Sequence, residues 1–158
     1  MFKYSIRKTG LMDNERIAND ARRSLSKYCY EECSAYCCRK GYLVLTEKEA
    51  DIVTQGKKDE MIKEGRIKEL KDGKYSMNLS PNCPSLVDNK CIIHKSHSRP
   101  KACKDFPLFL STGEFMFSGR CPAVRQGKLI PYSYKLVRNG MKYIKPEDVC
   151  NVEVHWFE

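Results

Sequence analysis

The stretch CYEECSAYCC, residues 29–38, places four cysteines within ten residues. A cysteine is a small and rather inert side chain until it loses its proton, and the resulting thiolate is the softest ligand that a protein offers to a metal. Packing alone seldom gathers so many thiols, although eight buried small side chains are the alternative. The predicted ligands of a metal or iron–sulfur centre are Cys29, Cys33, Cys37, Cys38, Cys83, Cys91, Cys103 and Cys121.

The composition is that of an ordinary globular chain. With 158 residues, 41% of them hydrophobic and 31% charged, the sequence predicts a single metal-binding domain over 1–158. Its motif region covers 29–121, and a basic C-terminal extension covers 122–158. The sequence contains no run of about eighteen apolar residues, so it predicts no transmembrane helix and no membrane partner.

The cysteine count favours metal over disulfides. No apolar core follows the charges of Met1 to Lys8, so we expect no secretory signal and a cytoplasmic location. Thiols stay reduced in that compartment, and the total of nine cysteines leaves one over in any disulfide framework. Disulfides in a hyperthermophile remain the alternative.

The formal net charge of +9 assumes neutral thiols. A site of four thiolates with Zn²⁺, or with an oxidised 4Fe–4S core, carries a net charge of about −2. The basic surplus therefore offsets, in part, the charge of the centre itself.

Apolar periodicity predicts a helix over 13–28. Cys29, Cys33 and Cys37 continue its four-residue spacing, so a longer helix would project all three thiols from one side. A tight loop could also bring them together, and the sequence does not decide between the two.

Downstream signals predict short helices and strands. The capping box of Thr46 and Glu49 begins a helix that ends near Gly56, and a charged helix over 57–71 follows it. Alternation predicts a strand from Lys74 to Leu79. A strand is predicted at Cys91–Ile93, entered through an Asp88-Asn89 turn. A short helix is predicted to begin at the cap Ser98 and to end at Pro107. The last predictions are a hairpin over 108–117 and a strand over 152–156. The fold class is α+β: a small irregular metal-stabilised domain with several short helices and a few short antiparallel strands.

The cysteines fall into an early group, from Cys29 to Cys38, and a late group, from Cys83 to Cys121. Adjacent thiols seldom bind one small ion, so the Cys37-Cys38 pair suits a polynuclear centre or two neighbouring centres. By count, eight thiols make two four-thiolate sites, or one site with thiols to spare.

A set of short motifs follows in a fixed order along the chain: Cys33-x3-Cys37-Cys38, Thr46, Cys83-Pro84-x-Leu86, Cys91, Arg99-Pro100-x-x-Cys103 and Phe106-Pro107. These motifs resemble the YkgJ-type cysteine-cluster family, described as a zinc- or iron-chelating domain. The chain is also similar to the cysteine-rich part of flagellin lysine N-methylases, which are associated with an iron–sulfur cluster. It departs from the family pattern in its first two spacings, which are three residues rather than two, in His94, which stands where an aromatic residue is usual, and in Cys150, outside the motif.

An iron–sulfur cluster of the 4Fe–4S type is favoured over zinc, because of the adjacent thiols and the methylase resemblance. Zinc remains the alternative, although the chain has no CxxC. The role of the centre is structural, redox or accessory to a modification reaction, with an unknown protein partner or substrate. His94 and His97 could be ligands or donors to the ligands, and a solvated or packed histidine is the alternative that we favour. Arg99 could donate to sulfur or carboxylate, or clamp the turn in which it lies.

Two other functions remain open, and so does the question of whether the chain is an enzyme. The methylase resemblance implies a protein-lysine N-methyltransferase-like activity. The acid-free stretch from Phe115 to Pro146, with its arginines, lysines and interleaved tyrosines, is compatible with a zinc module that binds nucleic acid, which we do not favour.

Overall fold

The structure, a computed structural model, describes the backbone of residues 3–145 and the side chains of residues 13–145. Cys150 and the strand predicted over 152–156 lie outside these residues. The described chain divides into two compact units. We call residues 29–104 the cysteine unit, and residues 3–28 with 105–145 the two-segment unit. The single domain predicted over the whole chain stays a prediction.

A three-stranded antiparallel sheet with strand order β1-β3-β2 forms the centre of the cysteine unit. Met77 of β3 pairs with Leu43 on one side and Ile67 on the other, and its side chain is fully buried. The elements of the unit are the end of α2 (Ser26–Glu31), a 3₁₀ turn (Tyr36–Cys38), β1 (Tyr42–Leu45), α3 (Glu47–Val53), α4 (Lys58–Lys63), β2 (Ile67–Glu69), β3 (Tyr75–Asn78), β4 (Leu86–Val87), β5 (Lys90–Cys91) and α5 (Lys101–Asp105).

The predicted capping box is confirmed at the start of α3. The Glu49 N–H donates to the Thr46 hydroxyl oxygen at 3.3 Å, and the Thr46 N–H donates to the Glu49 carboxylate at 2.9 Å. The same carboxylate accepts the Lys101 N–H at 3.2 Å. Glu49 therefore fixes the beginning of α3 and the beginning of α5, and α5 starts later than the predicted cap at Ser98.

The prediction of a helix over 57–71 is wrong for the second half of that range. Helix α4 ends at Lys63, and Gly65 has a φ of 76°, a left-handed conformation that glycine adopts without steric cost. Residues Ile67–Glu69 then pair with β3. Strand pairing buries Ile67 to 1% exposure, which a helix continuing along a charged surface would not achieve.

The two-segment unit joins a long helix to a sheet of strand order β6-β7-β8. The predicted hairpin is confirmed as the antiparallel β6–β7 pair, and β8 lies parallel to β7. The helix predicted over 13–28 begins earlier, at Lys3, and is interrupted at Leu25. The elements are α1 (Lys3–Ser24), the start of α2, β6 (Leu108–Ser111), β7 (Glu114–Phe117), α6 (Pro122–Arg125), α7 (Ile130–Arg138) and β8 (Lys142–Tyr143).

Arg22 ties the two chain segments of this unit together. Its guanidinium donates to the Leu108 carbonyl at 2.6 Å and lies 3.8 Å from the Asp105 carboxylate. The side chain is only 9% exposed, so the bonds form away from bulk water.

The predicted class is confirmed: the described chain is α+β, with mostly short helices and mainly antiparallel strands. No helix among the described residues is both long and apolar enough to span a bilayer.

Candidate metal centre

The first four cysteines do not lie on one continuous helix: Cys29 belongs to α2, and a tight loop leads from there past Cys33 to Cys37 and Cys38. Helix α2 ends at Glu31, and both Ser34 and Ala35 have positive φ angles, of 53° and 51°. The Ala35 N–H donates to the Cys29 carbonyl at 2.9 Å, which closes the loop. The 3₁₀ turn follows and presents Cys37 and Cys38.

A backbone hydrogen bond places Cys38 beside Cys83, the first of the late cysteines. The Cys83 N–H donates to the Cys38 carbonyl at 2.7 Å. Just before Cys83, the Asn82 carbonyl accepts the Arg66 guanidinium at 2.8 Å. The first of these bonds brings together two cysteines that are 45 positions apart in the chain, and the second holds Arg66 next to Cys83.

A hairpin returns the chain from Cys83 to Cys91. Strands β4 and β5 pair Leu86 with Cys91, and the predicted turn at Asp88 and Asn89 is confirmed, with φ angles of 49° and 62°. Asparagine and aspartate tolerate this left-handed conformation because their short side chains can hydrogen-bond locally.

Helix α5 delivers the remaining late cysteine of the unit, Cys103. Both Cys103 and Cys83 pack against the apolar core of the cysteine unit, together with Ile93 and Ala102. The thiols therefore lie at the border between the core and solvent. The core itself consists of Leu43, Leu45, Ala50, Val53, Met61, Ile67, Tyr75, Met77 and Leu79.

Four thiols lie within electrostatic reach of one another, and we call Cys38, Cys83, Cys91 and Cys103 the four-thiol group. Burial raises the pKa of Cys103 to about 12, and negative charge on any of the other three would raise it further. Burial likewise raises the pKa of Cys83 to about 11 and, to a smaller extent, that of Cys91. In the absence of metal these three thiols are neutral near pH 7.

Cys38 differs from the other three. A hydrogen bond from the Cys37 thiol lowers the pKa of Cys38 to about 7, and this effect outweighs the opposing effect of burial. The positive charge of Arg99 lowers it further. Cys37 thus acts on the four-thiol group through Cys38, and Cys38 is the first of the four to become a thiolate.

Backbone donors point at two of the sulfurs in the same way. The Ser85 N–H bonds to the thiol of Cys83, and the Ile93 N–H bonds to the thiol of Cys91, each donor two residues after its cysteine. Such bonds favour the thiolate, and they hold the sulfur in a fixed direction.

Two arginines accompany the four-thiol group. The charge of Arg99 favours the thiolates of Cys91 and Cys103 as well as Cys38, and the charge of Arg66 favours that of Cys83. Sequence reasoning singled out Arg99 but missed Arg66. No local signal could have found it, because Arg66 approaches Cys83 only through the turn at Gly65 and the pairing of β2 with β3.

The structure places the other predicted ligands in different positions. Cys29 and Cys33 belong to the cysteine unit, where the Lys90 ammonium lies 4.3 Å from the centre of the Tyr30 ring. This contact joins the end of α2 to the hairpin that carries Cys91. Cys121 belongs to the two-segment unit, where it is 4% exposed and immediately precedes α6.

His94 and His97 are both exposed, unlike the half-buried cysteines of the four-thiol group. Burial, followed by the charges of Arg99 and Lys95, lowers the pKa of His94, so its imidazole is neutral at physiological pH. His97 is exposed, and its carbonyl accepts the Lys104 ammonium at 2.6 Å.

Within residues 13–145, no three or more histidine, cysteine or acidic side chains have the arrangement that would hold a metal ion. The eight cysteines of this part of the chain form no disulfide. Comparison of the chain with protein-family models, with characterised proteins and with solved structures gave no match. The metal centre and the family resemblance stay predictions from the sequence.

Proposed function

We propose that the chain is a metal protein whose centre is held by the four-thiol group. The observation that carries the proposal is that four cysteines meet beside the core of one unit. The Cys83 N–H bonds to the Cys38 carbonyl, the β4–β5 hairpin returns the chain to Cys91, and Cys83 and Cys103 pack against the same core. Four thiolates are the ligand set of structural zinc sites and of 4Fe–4S clusters.

The surroundings of these sulfurs support the proposal. A thiolate buried against an apolar core is costly unless a positive charge lies next to it. A metal supplies that charge, and the N–H donors at Ser85 and Ile93 would fix the directions of two ligands. Ligation would then contribute directly to the free energy of folding, because the unfolded chain holds no such site.

We propose an iron–sulfur cluster of the 4Fe–4S type, with zinc as the alternative. The support is the adjacent Cys37-Cys38 pair and the resemblance to the YkgJ-type family and to the methylases. When bound, such a cluster supplies one-electron transfer or a structural tie. Its role in the protein is structural, redox or accessory to a modification reaction on a protein partner, in the cytoplasm.

The remaining predicted ligands, Cys29, Cys33, Cys37 and Cys121, would serve a second site or act as additional thiols. The lysine N-methyltransferase-like and nucleic-acid-binding alternatives rest on the sequence alone.

Purification without oxygen, followed by metal analysis and an absorption spectrum, tests the proposal. We expect iron and acid-labile sulfide in equal amounts, with a broad visible absorption that bleaches on reduction. A colourless protein with stoichiometric zinc would establish the alternative metal at the same thiols. Protein that contains neither metal, and binds neither after reconstitution, would refute the metal centre.

A further inference from the structure

Two arginines beside the thiols each carry a buried Nε–H that has no hydrogen-bond acceptor. Among the described residues, the Nε atoms of Arg66 and Arg99 are buried without any partner. Buried polar groups in folded proteins are nearly always paired, and an unpaired charged donor is especially costly. The two exceptions at this one place therefore call for an explanation.

The placement of the two arginines is complementary. Arg99 lies in the turn that precedes α5, and its charge acts on Cys38, Cys91 and Cys103. Arg66 is held by the Asn82 carbonyl, next to Cys83, and its charge acts on that thiol. Between them, the two cations reach every member of the four-thiol group.

The charges of the arginines and of the proposed centre match. Four thiolates with a divalent metal, or with an oxidised 4Fe–4S core, carry a net charge of about −2. We infer that Arg66 and Arg99 together compensate this charge and donate their Nε protons to sulfur at the centre. The inference rests on the proposed function, and it assigns the site to a centre of net charge −2.

A different reading is that the arginines only brace the backbone. Arg66 does bond to the carbonyls of Asn78, at 3.4 Å, and Asn82, and such contacts stabilise any state of the fold. The two readings predict opposite effects of the arginines on the stability of the metal-free protein. A brace stabilises the metal-free and the metal-loaded protein alike, whereas a compensating cation stabilises the loaded protein and burdens the metal-free one, in which its Nε–H has no acceptor.

The test compares the zinc affinity of four full-length proteins by competition with a chelator: the wild type, Arg99→Gln, Arg99→Lys and, as a matched control, Lys68→Gln. Lys68 is an exposed cation of β2, two residues from Arg66, so its variant removes the same charge from the surface. We expect Arg99→Gln to weaken zinc binding about tenfold to a hundredfold. Arg99→Lys keeps the charge and recovers most of the affinity, and Lys68→Gln leaves it unchanged.

Urea unfolding of the metal-free proteins supplies a second readout. We expect Arg99→Gln to be at least as stable as the wild type without metal, and Arg66→Gln to lose metal affinity in the same direction as Arg99→Gln. In protein that carries an iron–sulfur centre, the reduction potential falls in Arg99→Gln, because the added electron loses a nearby positive charge.

Each result decides between the readings. Unchanged affinity in Arg99→Gln, or equal losses in Arg99→Gln and Arg99→Lys, would overturn charge compensation while the metal centre stands. Equal destabilisation of the metal-free and loaded forms would establish the brace instead. A wild type that binds neither metal would remove the proposed function itself, so the two failures are distinguishable.

Discussion

Two thiols of the four-thiol group differ widely in acidity. The Cys37 thiol holds the pKa of Cys38 down to about 7, whereas burial raises that of Cys103 to about 12. A hydrogen bond to the charged form and removal from water act in opposite directions on the same chemical group. The order in which the thiols lose their protons therefore follows from their immediate neighbours.

Metal affinity should rise with pH, because each ligand must lose its proton before it binds. Below pH 7 all four thiols carry protons, so the logarithm of the zinc affinity should rise by about four for each pH unit. Between about pH 7 and 9, Cys38 is already a thiolate, and the slope should fall to about three. Chelator competition across this range measures the slope, and an affinity that does not vary with pH would contradict four-thiolate ligation.

Replacement of Cys103 by serine should remove the metal and destabilise the fold. A serine oxygen is a poor ligand for a thiophilic metal, and loss of a structural metal typically costs more than about 4 kcal/mol. Cys37→Ser should also lose metal, because Cys37 is one of the eight predicted ligands and serine oxygen replaces its sulfur. Metal content and urea unfolding of the variants measure the losses.

The matched control for these variants is Cys150→Ser, which lies outside the eight predicted ligands. We expect it to keep its full metal content. Equal loss of metal from Cys103→Ser, Cys37→Ser and Cys150→Ser would contradict the ligand assignment.

At the scale of elements, the start of α3 is determined locally, and it also supports a distant helix. Thr46→Ala removes one bond of the capping box and should cost about 1 kcal/mol. Glu49→Ala should cost more, because the carboxylate also accepts the Lys101 N–H of the helix that carries Cys103. We therefore expect Glu49→Ala, but not Thr46→Ala, to weaken metal binding as well.

Urea unfolding and chelator competition check both expectations. Thr112→Ala is a suitable control, since Thr112 is exposed in the β6–β7 turn, and its loss should change the stability by less than about 0.5 kcal/mol. Equal effects of Thr46→Ala and Glu49→Ala would show that the link to α5 contributes nothing.

At the scale of the whole molecule, the basic stretch from Arg120 to Lys145 raises the question of whether the protein binds nucleic acid. Two of its cations already lie over tyrosine rings of their own unit: Lys128 is 4.8 Å from the centre of the Tyr28 ring, and Lys135 is 5.2 Å from that of Tyr132. Contacts of this kind favour a structural and solvated role for these cations over an open phosphate-binding surface.

We predict that the metal-loaded protein does not bind mixed RNA or single-stranded DNA at physiological ionic strength. Genuine binding would weaken steeply with salt, because each neutralised phosphate releases condensed cations. A salt-titrated binding assay makes the measurement. Micromolar, salt-dependent affinity that disappears on replacement of Arg125, Lys128 and Arg138 would show that the stretch is a nucleic-acid surface.

The sequence by itself determined the features whose causes are local. The capping box at Thr46, the Asp88-Asn89 turn and the β6–β7 hairpin depend on a few neighbouring residues, and the structure has all three where the sequence predicts them. The α+β class follows from the same local patterns.

Only the tertiary structure decided the features that depend on distant partners. Ile67–Glu69 reads as helix in isolation, and it becomes a strand because pairing with β3 buries Ile67. The same pairing brings Arg66 to Cys83, and the bond between Cys83 and Cys38 selects which thiols meet. Local propensities amount to fractions of a kcal/mol per residue, whereas burial of one large apolar side chain contributes about 2 kcal/mol, so the distant contacts prevail wherever the two conflict.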